Sequence, residues 1–202
     1  MTRLQFEAII CDRCAPTLCG AKPANLVSFS KQESTCQNSP GIEELLAEYE
    51  EQLKHYQIHM KVICGCRKHY LVLFYRPDLL QNCLRQKDSM HILENCGYDS
   101  AWPVSRMIAH LKERYESDRG LPHEMGVFLG YPAEDVIGFC LHKGAECKYC
   151  GYWKVYGDVA RARRTFAVYD RCRAYMNERR ASGISILRMA KDIHNGCQAV
   201  VA

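Results

Sequence analysis

Residues Pro122 to Asp158 read PHEMGVFLGYPAEDVIGFCLHKGAECKYCGYWKVYGD. A His123-Glu124 pair leads into the short apolar run Glu124–Leu129, which reads as a strand. Gly130-Tyr131-Pro132 is a turn, and the helix expected from Pro132 to Cys140 carries Glu134 and Asp135 at its positive end. A Cys147-Lys148-Tyr149-Cys150-Gly151 knuckle follows, then a second strand over Tyr152–Tyr156. Asp158 caps the longest helix, whose stripe is Val159, Ala162, Phe166, Tyr169, Cys172 and Met176. Apolar strands alternating with amphipathic helices place the chain in the α/β class.

Working outward, a last helix covers roughly Ile184 to His194. Upstream, Asn25–Phe29 is a first strand, and residues 31–39 are polar and read as a flexible loop. Ser39-Pro40 starts a helix with Ile42, Leu45, Leu46, Tyr49 and Leu53 on one face. Ile58–Cys64 alternates with strand period, residues 65–68 turn, and His69–Tyr75 is apolar enough for a central strand, giving a hairpin. Three helices follow, opening at Pro77, about Asp88 and Pro103. Residues 1–24 are rich in Cys and carry Pro16 and Pro23, so they read as a constrained loop with at most one helical turn. The expected architecture is one globular domain over residues 1–202. It would hold a single mixed sheet of about five strands with helices packed on it, with an α+β arrangement as the alternative. Phe74, Val127, Leu129, Trp153, Val155, Phe166 and Tyr169 are its expected core.

The chain has 202 residues, 48% hydrophobic and 25% charged, with a formal charge of +4. These values fit a soluble domain and do not favour nucleic acid as a partner. The N-terminus lacks a signal-peptide pattern, and no run approaches the roughly 18 apolar residues of a membrane span. The expected location is the cytoplasm, where thiols stay reduced. There, 13 cysteines read as metal ligands or reactive groups before they read as disulfides.

Three readings of these residues compete. In the first, Cys147 and Cys150 hold a metal with Cys11 and Cys14, and Cys19, His123 or His142 serve as substitutes. A C-x-x-C turn supplies two thiolates, Gly151 permits the positive φ of such a turn, and two turns complete a four-sulfur set for zinc. Cys11-x-x-Cys14-x4-Cys19 equally allows an iron–sulfur cluster, and a dithiol redox pair uses the same spacing. Against it stands ordinary packing, because Cys also serves as a small apolar core residue. In the second reading, Cys14 is a nucleophile for acyl or amide chemistry, His123 is its base and Glu124 orients the His. Ala-Pro-Thr after Cys14 would begin a helical turn whose dipole lowers the thiol pKa. In the third, Arg161, Arg163, Arg164, Arg171, Arg173, Arg179 and Arg180 form a basic helix face that is solvated or docks an acidic protein such as a flavodoxin.

Four stretches carry a resemblance: CAPTL (Cys14–Leu18), KPANL (Lys22–Leu26), HEMGVFLGYPAEDVIGF (His123–Phe139) and GYWKVYGD (Gly151–Asp158). Together they resemble the bacterial family catalogued as domain of unknown function 3793, over nearly the whole chain. The resemblance implies no particular activity. Members of that family often lie near iron-uptake and flavodoxin genes, which implies iron or redox physiology. The family pattern often has a His before the CAPTL cysteine, where this chain has Arg13.

Overall fold

A computed structural model describes residues 1–30, 41–65, 69–117 and 120–196. The expected loop at 31–39, the Ser39-Pro40 helix start and most of the turn at 65–68 lie outside the described residues. In chain order the elements are helices α1 (Arg3–Arg13) and α2 (Ala15–Leu18), strand β1 (Ala24–Ser30), α3 (Ile42–Leu53), and strands β2 (His59–Gly65) and β3 (His69–Tyr75). There follow α4 (Pro77–Leu84), α5 (Lys87–Glu94), α6 (Val104–Ser117), α7 (Met125–Phe128) and α8 (Ala133–His142). Strands β4 (Tyr149–Cys150) and β5 (Lys154–Val155), the long α9 (Val159–Ala181) and α10 (Ile186–His194) complete the order. The chain divides into two compact units, Met1–Pro77 with Val168–Ala202, and Asp78–Ala167.

The first unit is built on a three-stranded antiparallel sheet of order β1-β3-β2. Val72 of β3 sits opposite Val27 on one side and Val62 on the other. Val72, Leu73 and Phe74 are all buried, as a central strand covered on both faces requires. The register slips between Val62 and Cys64, a bulge that leaves Ile63 buried.

The N-terminal segment corrects the sequence reading: it is helical and belongs to the core. Thr2 and Gln5 form a capping box, with Thr2 Oγ1 accepting from the Gln5 N–H and Gln5 Oε1 accepting from the Thr2 N–H. Phe6, Ile10 and Cys14 then repeat every four residues and are fully buried against β1, α3 and α10. Gly20 (φ +77°) ends α2 in the left-handed region, so that the Ala21 N–H reaches back to the Pro16 carbonyl.

The second unit overturns the single five-strand sheet. Its only strands among the described residues are β4 and β5, a separate two-stranded hairpin with Tyr149 opposite Val155 and Cys150 opposite Lys154. The run expected as a strand at Glu124–Leu129 is the helical turn α7. The Val127, Leu129 and Gly130 N–H groups donate to the Glu124, Met125 and Val127 carbonyls, so its backbone is satisfied locally and needs no neighbouring strand. The strand expected over Tyr152–Tyr156 is cut to two residues. The Tyr156 and Gly157 N–H groups donate to the Asp135 carboxylate instead of to another strand.

The long helix stands where expected, with Asp158 Oδ1 accepting from the Arg161 N–H. Among the expected core residues Leu129 alone is only half-buried. None of the described helices is long and apolar enough to cross a membrane.

Candidate functional site

In the first unit the CAPTL and KPANL stretches fold onto each other. The Thr17 hydroxyl, fully buried, donates to Asn25 Oδ1 at 2.7 Å. Arg76 completes the carbonyl end of α2: Nε donates at 2.7 Å to the Thr17 carbonyl, which also accepts from the Gly20 N–H, and Nη2 donates to the Leu18 carbonyl at 2.5 Å. The same backbone is tied to β3 by the Arg76 N–H donating to the Pro23 carbonyl.

Four cysteines line the core beneath this motif. Cys11, Cys14 and Cys172 are fully buried and Cys19 is 6% exposed. Burial pushes the Cys11 thiol up to about 12, helped by the nearby Glu7 carboxylate. Burial also pushes Cys14 up, against the weaker opposing pull of Lys22. The expected lowering of the Cys14 pKa by a helix dipole is therefore reversed, because α2 spans only four residues and desolvation dominates. Lys22 is itself 3% exposed, and burial brings its amine down to about 8. Its Nζ sits 5.6 Å from the centre of the Tyr169 ring.

Cys19 and Cys172 form the close pair of this cluster. The two thiols interact within the core, which together with burial pushes the Cys19 thiol up and brings Cys172 down. Sequence reasoning placed Cys172 in a packing stripe and treated Cys19 as a substitute metal ligand. Nothing in their spacing, 153 residues apart, links them. Lys22 lay in the KPANL stretch, but no charge partner in the sequence marked it as buried.

The other expected ligands sit in the second unit. Cys147 is half-buried and Cys150 exposed. The turn that would bring them together is absent: β4 runs through Cys150, and the reversal comes afterwards, at Gly151–Trp153. Gly151 is not in the left-handed region. It is a glycine because a Cβ there would meet Phe166 Cε2 at 2.2 Å. Within each unit, among the described residues, no group of three or more His, Cys, Asp or Glu side chains converges where a metal ion could sit. Cys11 and Cys14 belong to the first unit, as does Cys19; His123 and His142 belong to the second. His142 pairs with Glu146 at 2.9 Å and stacks on Tyr156.

Glu124 does not turn toward a surface His. It is 1% exposed and accepts from Arg114 Nε at 2.5 Å, while His123 is exposed with its ring 6.4 Å from that of Phe139. Glu124 is thus an internal ion-pair partner for α6, with Oε2 left without a hydrogen bond.

The basic helix is partly used internally. Arg173 pairs with Asp12 and Arg179 with Asp192, each at 2.6 Å, and Arg163 lies over the Tyr149 ring. Arg161, Arg164 and Arg171 are exposed.

The second unit also holds a cavity of about 340 Å³ walled by His123, Gly126, Tyr131, Phe139, Trp153 and Lys154 together with apolar side chains. It is built almost wholly from the two long stretches singled out in the sequence. Asp135, 3% exposed, accepts the Trp153 Nε1–H at 2.7 Å, and Trp153 stacks on Tyr131 with ring centres 5.0 Å apart. Phe166 meets the Trp153 ring edge-on at 4.4 Å.

Fold and sites together define a cysteine-rich α/β protein with a buried thiol cluster in one unit and an aromatic-walled cavity in the other. The chain belongs to the family described as Protein of unknown function (DUF3793), whose model matches residues 10–190 and so takes in all four stretches. No curated protein and no solved structure matches it.

Proposed function

We propose that the protein is a thiol-redox protein whose working pair is Cys19 and Cys172, cycling between dithiol and disulfide. The placing of these two interacting thiols in one buried core cluster carries the reading. Of two neighbouring thiols the one whose pKa is brought down is the more readily ionised nucleophile, here Cys172, and the other is placed to resolve the product. Burial selects the oxidant: with Cys172 fully buried and Cys19 nearly so, a small hydroperoxide fits the access better than a bulky disulfide. The Cys172 thiolate would attack the distal peroxide oxygen, breaking the O–O bond, forming a sulfenic acid and releasing the alcohol or water once a proton is taken up. The Cys19 sulfur would then displace hydroxide from that sulfenic sulfur, and its thiol proton completes the water released. The two thiols lose two electrons and the peroxide gains them. A small dithiol would reverse the step by exchange.

Cys11 and Cys14 would support the pair as packing residues, their raised pKa values keeping them protonated. This reading moves the chemistry away from the C-x-x-C spacings and keeps the thiol-redox expectation of the sequence.

The experiment is hydrogen peroxide treatment of the reduced protein, followed by peptide mapping and dimedone trapping. A Cys19–Cys172 cross-link in the wild type, with a dimedone adduct on Cys172 in Cys19→Ser, is the expected result. Oxidation confined to the exposed Cys140 and Cys150, with the buried pair untouched, would sink the proposal.

A further inference from the structure

The cavity of the second unit is independent of the thiol pair and has a chemistry of its own. At about 340 Å³ it lies at the small end of ligand sites, which run from roughly 300 to 1,000 Å³. Two apolar side chains at its mouth are unusually open to solvent, Leu121 at 59% and Phe139 at 41%. Its aromatic wall is fixed before any ligand arrives. Trp153 is held at its Nε1 by Asp135, by Phe166 in a T-shaped contact and by Tyr131 stacked on it. Gly126 lets α7 approach α8, since a Cβ there would lie 2.9 Å from Val136 Cγ2. A wall this rigid favours a flat ligand, which can lie against it without rearrangement.

Four ionisable groups line the cavity: His123, Tyr131, Asp135 and Lys154, of which the Tyr131 hydroxyl donates to the Tyr152 carbonyl. Asp135 is committed, with Oδ2 accepting from the Trp153 indole and Oδ1 from two backbone N–H groups. Lys154 is exposed, and its Nζ is steadied by donating to the Gly144 carbonyl at 2.5 Å, which leaves further N–H donors. His123, also exposed, adds a ring N–H. The donors open to a ligand are therefore cationic or neutral, and the one acid is already satisfied.

We propose that this cavity binds a small planar aromatic acid, its rings against Trp153 and Tyr131 and its anionic group on Lys154, with His123 assisting. The test is titration of the intact protein with 2-naphthoate, its neutral analogue 2-naphthamide and the cation 2-naphthylmethylammonium. Calorimetry gives affinity, and the two indole N–H resonances give location.

The acid is expected to bind roughly tenfold tighter than the amide, as a charge-assisted hydrogen bond implies. It should shift the Trp153 indole resonance and leave that of Trp102, which does not line the cavity. Lys154→Met should bring the affinity for the acid down to that for the amide, and Lys154→Arg should restore the preference for the acid. Equal binding of acid and amide, tighter binding of the cation, a shift at Trp102 in place of Trp153, or no binding of any probe would each overturn the proposal. Since Lys154 is exposed, its replacement leaves the fold in place, and the amide titration verifies this in the same sample.

Discussion

Asp135 Oδ2 accepts the indole N–H of Trp153 at 2.7 Å, while Oδ1 of the same carboxylate accepts the Tyr156 and Gly157 N–H groups at 2.7 and 2.8 Å. One side chain in the first turn of α8 thereby fixes a ring on the β4–β5 hairpin and ends strand β5. Acidic residues are common in a helix first turn for the dipole. Here the carboxylate faces inward and closes one element onto another.

Asp135→Asn should consequently be costly despite its small change in shape. The amide keeps one acceptor oxygen and turns an NH2 toward donors that have lost their partner. A loss of about 2–4 kcal/mol is expected, the range for a broken buried charged network. Trp153→Phe removes one bond of the three and should cost less by that route. Urea unfolding of both variants decides it, and an unchanged midpoint for Asp135→Asn would show that the carboxylate has no structural part.

Close packing explains the glycines of the two long stretches. A Cβ on Gly138 would lie 2.4 Å from Tyr156 Cγ, and one on Gly151 2.2 Å from Phe166 Cε2. Gly138→Ala sets two effects against each other. Alanine in the interior of α8 should gain about 1 kcal/mol in helix propensity. Displacing a packed ring should cost about 1–3 kcal/mol. With the ring base rather than a flexible tip in the way, the clash wins, and both alanine variants should melt lower. Gly41→Ala, where nothing lies within 4 Å, carries no clash and should cost no more than the roughly 1 kcal/mol of a poorer N-cap for α3. Equal melting of all three variants would refute the packing account.

Much of the first unit was legible. Period located β2 and α3, short apolar runs located β1 and β3, and the hairpin followed from the short gap between β2 and β3. The N-terminal helix was legible too, in the Thr2-x-x-Gln5 spacing and the Phe6, Ile10, Cys14 repeat, but two prolines and three cysteines drew the reading to a loop. In the second unit the apolar run of α7 is too short for periodicity to tell strand from helical turn. The ending of β5 depends on Asp135, some twenty residues away, which no local pattern reveals. The thiol pair was illegible for the same reason: Cys19 and Cys172 meet only once α2 and α9 are packed. The C-x-x-C spacing was visible, but spacing alone does not say that the chain runs straight through Cys150.

The Arg114–Glu124 pair makes a sharper test of burial than any surface bridge. Glu124 is 1% exposed and its Oε1 lies 2.5 Å from Arg114 Nε. Arg114→Met leaves the carboxylate buried without its cation and should cost about 3–5 kcal/mol. Glu124→Gln in that background removes the charge and should recover part of the loss. A double-mutant cycle by urea unfolding measures this, and additive losses would mean that the two side chains do not act as a pair.

The pH dependence of stability gives the last prediction. Burial lowers Lys22 from 10.5 to about 8. Below pH 8 both folded and unfolded chains hold the proton, and the folded state carries the full penalty of a buried ammonium, about 3 kcal/mol for a shift of this size. Between about 8 and 10.5 the folded protein releases its proton while the unfolded chain keeps it. The unfolded state then binds more protons, so stability rises with pH through this window. Cys11 acts in the opposite direction. Its thiol moves from 9.0 to about 12, so the folded state holds a proton that the unfolded chain loses, and stability falls above pH 9. The wild-type curve mixes the two. The difference between wild type and Lys22→Met isolates the amine, and between pH 7 and 9 the wild type should gain on the variant by roughly 1 kcal/mol. Urea unfolding at the two pH values measures this, and NMR titration of the Lys22 side chain checks its cause. A titration midpoint above 10, or a difference that narrows in the other direction, would show that Lys22 is solvated.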